Sequence, residues 1–382
     1  MSKTLSAGIA MFAMLFGAGN VVFSLALGRD TGDMVWWAIG GFCLTAVLVP
    51  LLGLVSTVLY EGDYTSFLGR IGVIPGAIVT FICLILIGPF GAIPRCITTS
   101  YAAVKWYFPG FTLAYFSVMA ALIIFMFTFR QSNVVDLIGK FLGPLKLALL
   151  FSIIIVGLFW MNGVPATVEI APSSALLKGV VEGYGTMDLL GTIFFAGLIF
   201  GSLKKDMDPT NPDYKLLAIQ GFKAGLIGAS LLAIVYTGFC LVASFHGPSV
   251  VDVDRYELLN ALAPFILGPH GGMLTNAAVA ISCLVTAIAL TTVFAQYLHR
   301  VIMREHVSYV TALIMTVIAS GLMTNLGFKG LMGFIAPMVI AFYPAMIVLA
   351  LFNLGYKLFG IKLVRVPVFA TFAVTLIVQF VA

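Results

Sequence analysis

Charge is what this chain has least of: only 9% of its 382 residues are Asp, Glu, Lys or Arg, against 61% hydrophobic. Too few polar side chains remain to cover a water-facing surface, which excludes a soluble domain and the concentrated basic patch that nucleic acid requires. Cysteine is also rare. Cys43, Cys83, Cys96, Cys240 and Cys283 all fall in apolar segments, and none forms a C-x-x-C or Cys/His cluster. They read as small buried hydrophobes, without a metal centre or disulfide framework. The four histidines, at 246, 270, 299 and 306, lie in loops or at the ends of apolar segments, which argues against a buried histidine proton relay. An embedded enzyme would need a nucleophile, paired acids or metal ligands gathered within the apolar segments, and none are visible, so no cofactor is expected.

What the chain does have is apolar stretches of bilayer-spanning length from end to end, with a mean hydropathy of +1.12. They predict spans at about 5–27, 34–59, 74–104, 112–129, 141–162, 184–203, 216–244, 273–300, 308–324, 330–354 and 366–381. The longest connections, about 163–183 and 245–272, are too short and too rich in Gly, Pro and Ser for a core of their own. The chain therefore reads as one all-α membrane transport domain in contact with lipid.

The basic residues alternate by side. With the N-terminus in the cytoplasm, fourteen fall on the inner side, Lys140 and Lys146 among them, and five on the outer side, with Arg95 inside a span. The positive-inside rule then places residue 1 in the cytoplasm of a bacterial-type inner membrane. Ser24-Leu25-Ala26 resembles a signal-peptide cleavage site, but Asn20 and two glycines interrupt what would be the apolar region before it.

That interruption is the most informative feature of the chain. Phe16-Gly17-Ala18-Gly19-Asn20 sits near the middle of the first span, where weak helix formers free backbone N–H and C=O groups that hydrocarbon cannot satisfy. A second weak stretch, Thr192 to Gly201, follows Gly183, Gly185 and Gly191 in the sixth span. If spans 1–5 (about 5–162) and 6–10 (about 184–354) are equivalent units, with an extra span at about 366–381, an odd number of spans per unit inverts their orientation. The site then lies at the midplane. A channel would favour charged rings or a carbonyl filter over two different broken helices. Gly88-Pro89-Phe90-Gly91-Ala92-Ile93-Pro94-Arg95 predicts a kink or register shift in span 3.

Arg95 and Asp188 are the ionisable residues set furthest inside spans, about 7 Å and 9 Å outward of their span midpoints at about 1.5 Å per residue. They could meet as an outer gate. The segment Gln131 to Lys146 reads either as an interfacial helix or as an ordinary loop.

FGAGN near the start, GPF-x-AIPR in span 3, Tyr184-Gly185-Thr186-Met187-Asp188 opening span 6 and Thr286 to Thr291 in span 8 together resemble the branched-chain amino acid:cation symporters (LIVCS, BrnQ-type) of the amino acid-polyamine-organocation superfamily. Two departures are Ser24, where that family usually has proline, and an eleventh span as the last where twelve are usual. The resemblance implies a LeuT-type 5+5 inverted-repeat fold and uptake of Leu, Ile and Val with sodium or protons by alternating access. It implies that Gly17, Ala18, Gly19 and Asn20 receive the substrate carboxylate, and that carbonyls around Phe194, Phe195, Ala196 and Gly197 receive the amine, with Phe195 facing the side chain. It places sodium between the Ala13 and Phe16 carbonyls and Thr286, with Ser282 one turn earlier; Thr291 and Thr292 are alternatives. Threonine in a membrane helix also bonds its own i−4 carbonyl. A proton-coupled carrier of another neutral amino acid and a substrate sensor remain as alternative functions.

Overall fold

A computed structural model describes residues 3–129, 134–160, 164–205 and 214–381. Seventeen α-helices occur among them: α1 Lys3–Leu15, α2 Ala18–Thr31, α3 Val35–Cys43, α4 Val49–Val58, α5 Tyr64–Gly69, α6 Val73–Ile87, α7 Ala92–Lys105, α8 Leu113–Thr128, α9 Val134–Leu137, α10 Gly143–Phe159, α11 Pro172–Gly185, α12 Asp188–Lys204, α13 Tyr214–His246, α14 Leu258–Tyr297, α15 Tyr309–Thr324, α16 Gly327–Phe359 and α17 Arg365–Val381. Three π-helical turns, Leu44–Leu48, Ile138–Leu142 and Leu298–Ile302, join or extend helices. Six helical stretches are long and apolar enough to cross a membrane, and the bent pair α11–α12 makes a seventh. Helix occupies the place of every predicted span. The protein is a multi-pass membrane protein.

Local chemistry explains where helices begin and end. Asp63 caps α5 by accepting from the Thr65 and Ser66 N–H groups at 2.9 and 3.2 Å, and Ser308 caps α15 through the Thr311 N–H at 3.1 Å. Burial works to raise the Asp63 pKa, but these bonds and the Ser66 and Thr65 hydroxyls outweigh it and hold the carboxyl below its usual range. Gly360, at φ +74, closes α16 in the left-handed conformation.

Both long connections contain helix. Residues 172–185 form α11, which lies directly on α3: a Cβ on Gly179 would stand 2.1 Å from the Ala38 carbonyl, and one on Gly41 2.0 Å from that of Leu176. Residues 258–267 form the first part of α14, which bends at Gly268 (φ +69) beside Pro269. The glycine and proline content marks close helix contact and one kink. Likewise, the described part of the predicted interfacial segment, from residue 134 on, runs through a π turn into α10, and Gln131–Asn133 lie outside the described residues.

The two broken helices form the centre. α1 is buried from Ala7 to Leu15, and α2 and α12 are buried over most of their length, enclosed by α7, α13 and α14. α8, α15 and α17 lie outside, with Leu122, Met126, Leu322 and Val378 exposed, as a lipid-facing surface requires.

Candidate functional site

Span 1 breaks at Phe16-Gly17, between α1 and α2. Gly17 adopts φ −121, ψ −153, and its N–H is bonded at 2.8 Å by the Asn20 side-chain oxygen three residues on. The next N–H groups, at the start of α2, have no carbonyl in the preceding turn and leave the positive end of the helix facing the break. Both glycines of the motif are held by sterics. A Cβ on Gly17 would lie 2.9 Å from the Thr286 methyl, and one on Gly19 2.6 Å from the Arg95 guanidinium.

Span 6 breaks at Thr186-Met187, where α11 and α12 meet at a 42° bend and Met187 takes the left-handed conformation at φ +61. The break lies five residues before the predicted stretch. Thr192 to Gly201 is regular helix, so the carbonyls around Phe194 to Gly197 stay within it rather than being freed. Glycine content misled here, because Gly191 and Gly197 serve close packing against Leu15 and the Gly62 carbonyl. Span 3 is broken outright: Gly88 to Gly91 separates α6 from α7, and Arg95 stands in the first turn after the gap.

The three breaks meet in one cavity of about 30 Å³, lined among others by Gly17, Ala18, Asn20, Arg95, Asp188 and Phe195. The Asn20 amide nitrogen donates to both Asp188 carboxylate oxygens, at 3.0 and 2.9 Å, and the Tyr236 hydroxyl donates to Asp188 Oδ2 at 2.5 Å. Asn20 and Tyr236 also touch. Arg95 does not pair with Asp188. Its guanidinium donates to the carbonyls freed at the second break, Gly185 at 2.8 Å and Thr186 at 3.4 Å, while its Nε has no partner. Arg95, Asp188 and Asn20 are all at most 3% exposed. Arg95, which has no acid partner, beside the N–H groups at the start of α2 suits a carboxylate.

A second cluster lies behind the break. The carbonyls of Ala13 and Phe16 face the Thr286 hydroxyl at 3.3 and 3.0 Å, and the Ser282 hydroxyl reaches Phe16 at 3.4 Å. At its centre is Lys146 Nζ, which donates to Ala13 O at 2.8 Å, to Phe16 O, to Ser282 O at 3.2 Å and to Thr286 Oγ1 at 3.5 Å. Among the described residues no group of three or more His, Cys, Asp or Glu side chains is placed to hold a metal ion.

Comparison with known proteins settles the family. The family model for "Branched-chain amino acid transport protein" matches residues 1–382. The chain belongs to this family. It is 31% identical over 372 residues to the branched-chain amino acid permease BraB of Bacillus subtilis (strain 168), covering 94% of this chain and 81% of that protein. It is 30% identical to the permease BrnQ of the same strain, covering 94% and 84%. Among solved structures it resembles the inward-facing conformation of Mhp1, with a TM-score of 0.64, 13% identity and coverage of 93% and 77%. It also resembles MhsT in complex with L-phenylalanine, with a TM-score of 0.60, 15% identity and coverage of 98% of both chains. These likenesses give the fold, a LeuT-type transporter with broken spans 1 and 6.

In this member of the branched-chain family, Gly17, Ala18, Asn20 and Phe195 line the cavity, and Gly19 abuts Arg95. Phe194 points elsewhere, its ring 5.0 Å from that of Tyr64, and neither Ala196 nor Gly197 lines the cavity. Ala13, Phe16, Ser282 and Thr286 are brought together around Lys146. Thr292 bonds its own i−4 carbonyl at Ile288 (2.8 Å), and the Thr291 hydroxyl is buried without a partner. Ser24 donates to the Asn20 carbonyl at 2.6 Å, supporting the backbone of the break.

Two central residues escaped the sequence reading. Lys146 sits near the start of a predicted span and counted as an inner-side charge, yet it is 0% exposed. Its withdrawal leaves thirteen basic residues against five. Tyr236 looked like an ordinary aromatic of an apolar helix. A tyrosine deep in a span needs a partner for its hydroxyl, and that signal was available.

Proposed function

We propose that this protein imports branched-chain amino acids, Leu, Ile and Val, by alternating access coupled to a cation. The observation that carries this reading is the cavity at the three breaks, where the positive end of α2 and the Arg95 guanidinium offer two positive groups to a carboxylate while apolar Phe195 and Leu290 offer a side-chain surface. The residues 5–162 and 184–354 act as the two inverted repeats, with 366–381 as an extra span. Arg95 and Asp188 act as an outer gate through the Gly185-Thr186 backbone rather than as an ion pair. The excess of basic residues on one side supports a cytoplasmic N-terminus in a bacterial inner membrane.

Sodium was the expected coupling ion. The Lys146 nitrogen among the expected sodium oxygens favours a proton-driven cycle instead. The test is radiolabelled leucine uptake into proteoliposomes under an inward sodium gradient, a proton gradient or neither, with Ile and Val as competitors. Accumulation under either gradient supports symport. Leucine binding without accumulation under any gradient would replace symport with substrate sensing, and the absence of binding would point to another neutral amino acid.

A further inference from the structure

We propose that Lys146 is a resident cation: its ammonium, carried on α10, fills the oxygen cage between α1 and α14 and takes the place of a dissociable sodium ion there. As a statement about coupling this rests on the symport reading of the site.

Four oxygens from two helices surround one nitrogen, and all are acceptors toward it: the Ala13, Phe16 and Ser282 carbonyls and the Thr286 hydroxyl. The three N–H donors of an ammonium can be shared among these four acceptors, whereas a neutral amine has only two and would turn its lone pair toward an oxygen. The cage is the kind that hard cations use, made of uncharged oxygens at a helix break. Three of the four contacts lie at 2.8 to 3.5 Å, within hydrogen-bond reach of the ammonium. The Phe16 ring, 5.5 Å from Nζ, closes one side.

Snorkelling to the interface, the usual course of a lysine near a span end, is ruled out by its complete burial. A buried ammonium is tolerated only with good partners, and these are the ones a metal ion would need. Two cations cannot share the cage. The Thr286 hydroxyl faces Ala13 and Phe16 with Nζ between them, so a sodium ion could enter only after Lys146 had left.

The test is sodium binding to the purified full-length protein, read by radiosodium equilibrium binding and by thermal unfolding in sodium or potassium chloride at equal ionic strength. Wild type is compared with Lys146→Ala and Lys146→Ser. The expected result is that a variant binds one more sodium per chain than wild type and unfolds at a higher temperature in sodium than in potassium, a difference that wild type lacks. Folded variants that bind no more sodium than wild type overturn the proposal. Should neither variant fold, wild type and Thr286→Val decide: sodium binding that this substitution removes overturns the proposal, and binding that it leaves unchanged supports it. Leucine binding measured on the same wild-type samples tests the transport reading separately, because its absence would sink that reading without altering the sodium count.

Discussion

The Asn20 amide is shared between the two carboxylate oxygens of Asp188, 168 positions further along the chain, so a single side chain ties the first broken span to the second. Removing one partner of a buried, charge-assisted pair costs about 1–3 kcal/mol or more, because the other is left desolvated. Asn20→Ala is expected to lower leucine uptake by about tenfold or more, and Asn20→Asp, which faces carboxylate with carboxylate, to lower it further. Exchange of the two, Asn20→Asp with Asp188→Asn, restores one acid and one amide. Uptake and unfolding temperature above those of Asn20→Asp alone are expected. An exchange no better than that single variant would show that the contact is incidental.

Arg95 binds backbone, and charge exchange should therefore not rescue it. Arg95→Asp combined with Asp188→Arg is expected to remain inactive in uptake, because no acid on α7 can bond the Gly185 and Thr186 carbonyls. Arg95→Lys is expected to lose most transport, since a single ammonium does not reproduce the planar guanidinium fork. Recovery in the double variant would reveal a direct pair that forms during the cycle.

Gly19→Ala places a methyl group 2.6 Å from the Arg95 guanidinium. The side chain must shift off its carbonyls, and uptake is expected to fall by about tenfold with little change in the amount of protein in the membrane. Gly201→Ala, where a Cβ meets nothing within 4 Å, is the matched control.

Phe194 and Phe195 are neighbours with different tasks. Phe195→Ala is expected to raise the KM for leucine and flatten the preference among Leu, Ile and Val, within the roughly 1–3 kcal/mol that an apolar pocket gives per methylene. Phe194→Ala removes a ring packed at a tilt against Tyr64 and is expected to cost about 3–5 kcal/mol of stability with KM unchanged. Competition assays and thermal unfolding on both variants check this, and identical profiles would contradict it.

How much of this could be read beforehand varied with the physics involved. The first break was legible because Gly17, Gly19 and Asn20 oppose helix in the place where nothing but a ligand or a neighbouring side chain can repair the backbone. The second was misplaced because glycine in a membrane helix carries two meanings, and Gly191 and Gly197 carry the packing one, whereas the break falls at Met187, a residue with no turn propensity of its own. Thr286 could be told from Thr291 and Thr292 only once the register of α14 against α1 was known. Lys146 was hidden because local sequence does not say which way a side chain near a span end is turned, and the partners of Tyr236 because they lie in distant spans.

The π turn at Ile138–Leu142 has a consequence for that direction. A π turn absorbs one surplus residue, so every side chain beyond it is offset by about 100° from where an unbroken α-helix would carry it. Lys146 follows that turn by one helical revolution. In a helix counted straight from Val134, the place aimed at the four oxygens belongs to Leu145, which now faces outward at 48% exposure, and the lysine is swung past the cage. The cationic character of this pocket therefore depends on one extra peptide unit in the backbone as much as on the identity of a side chain.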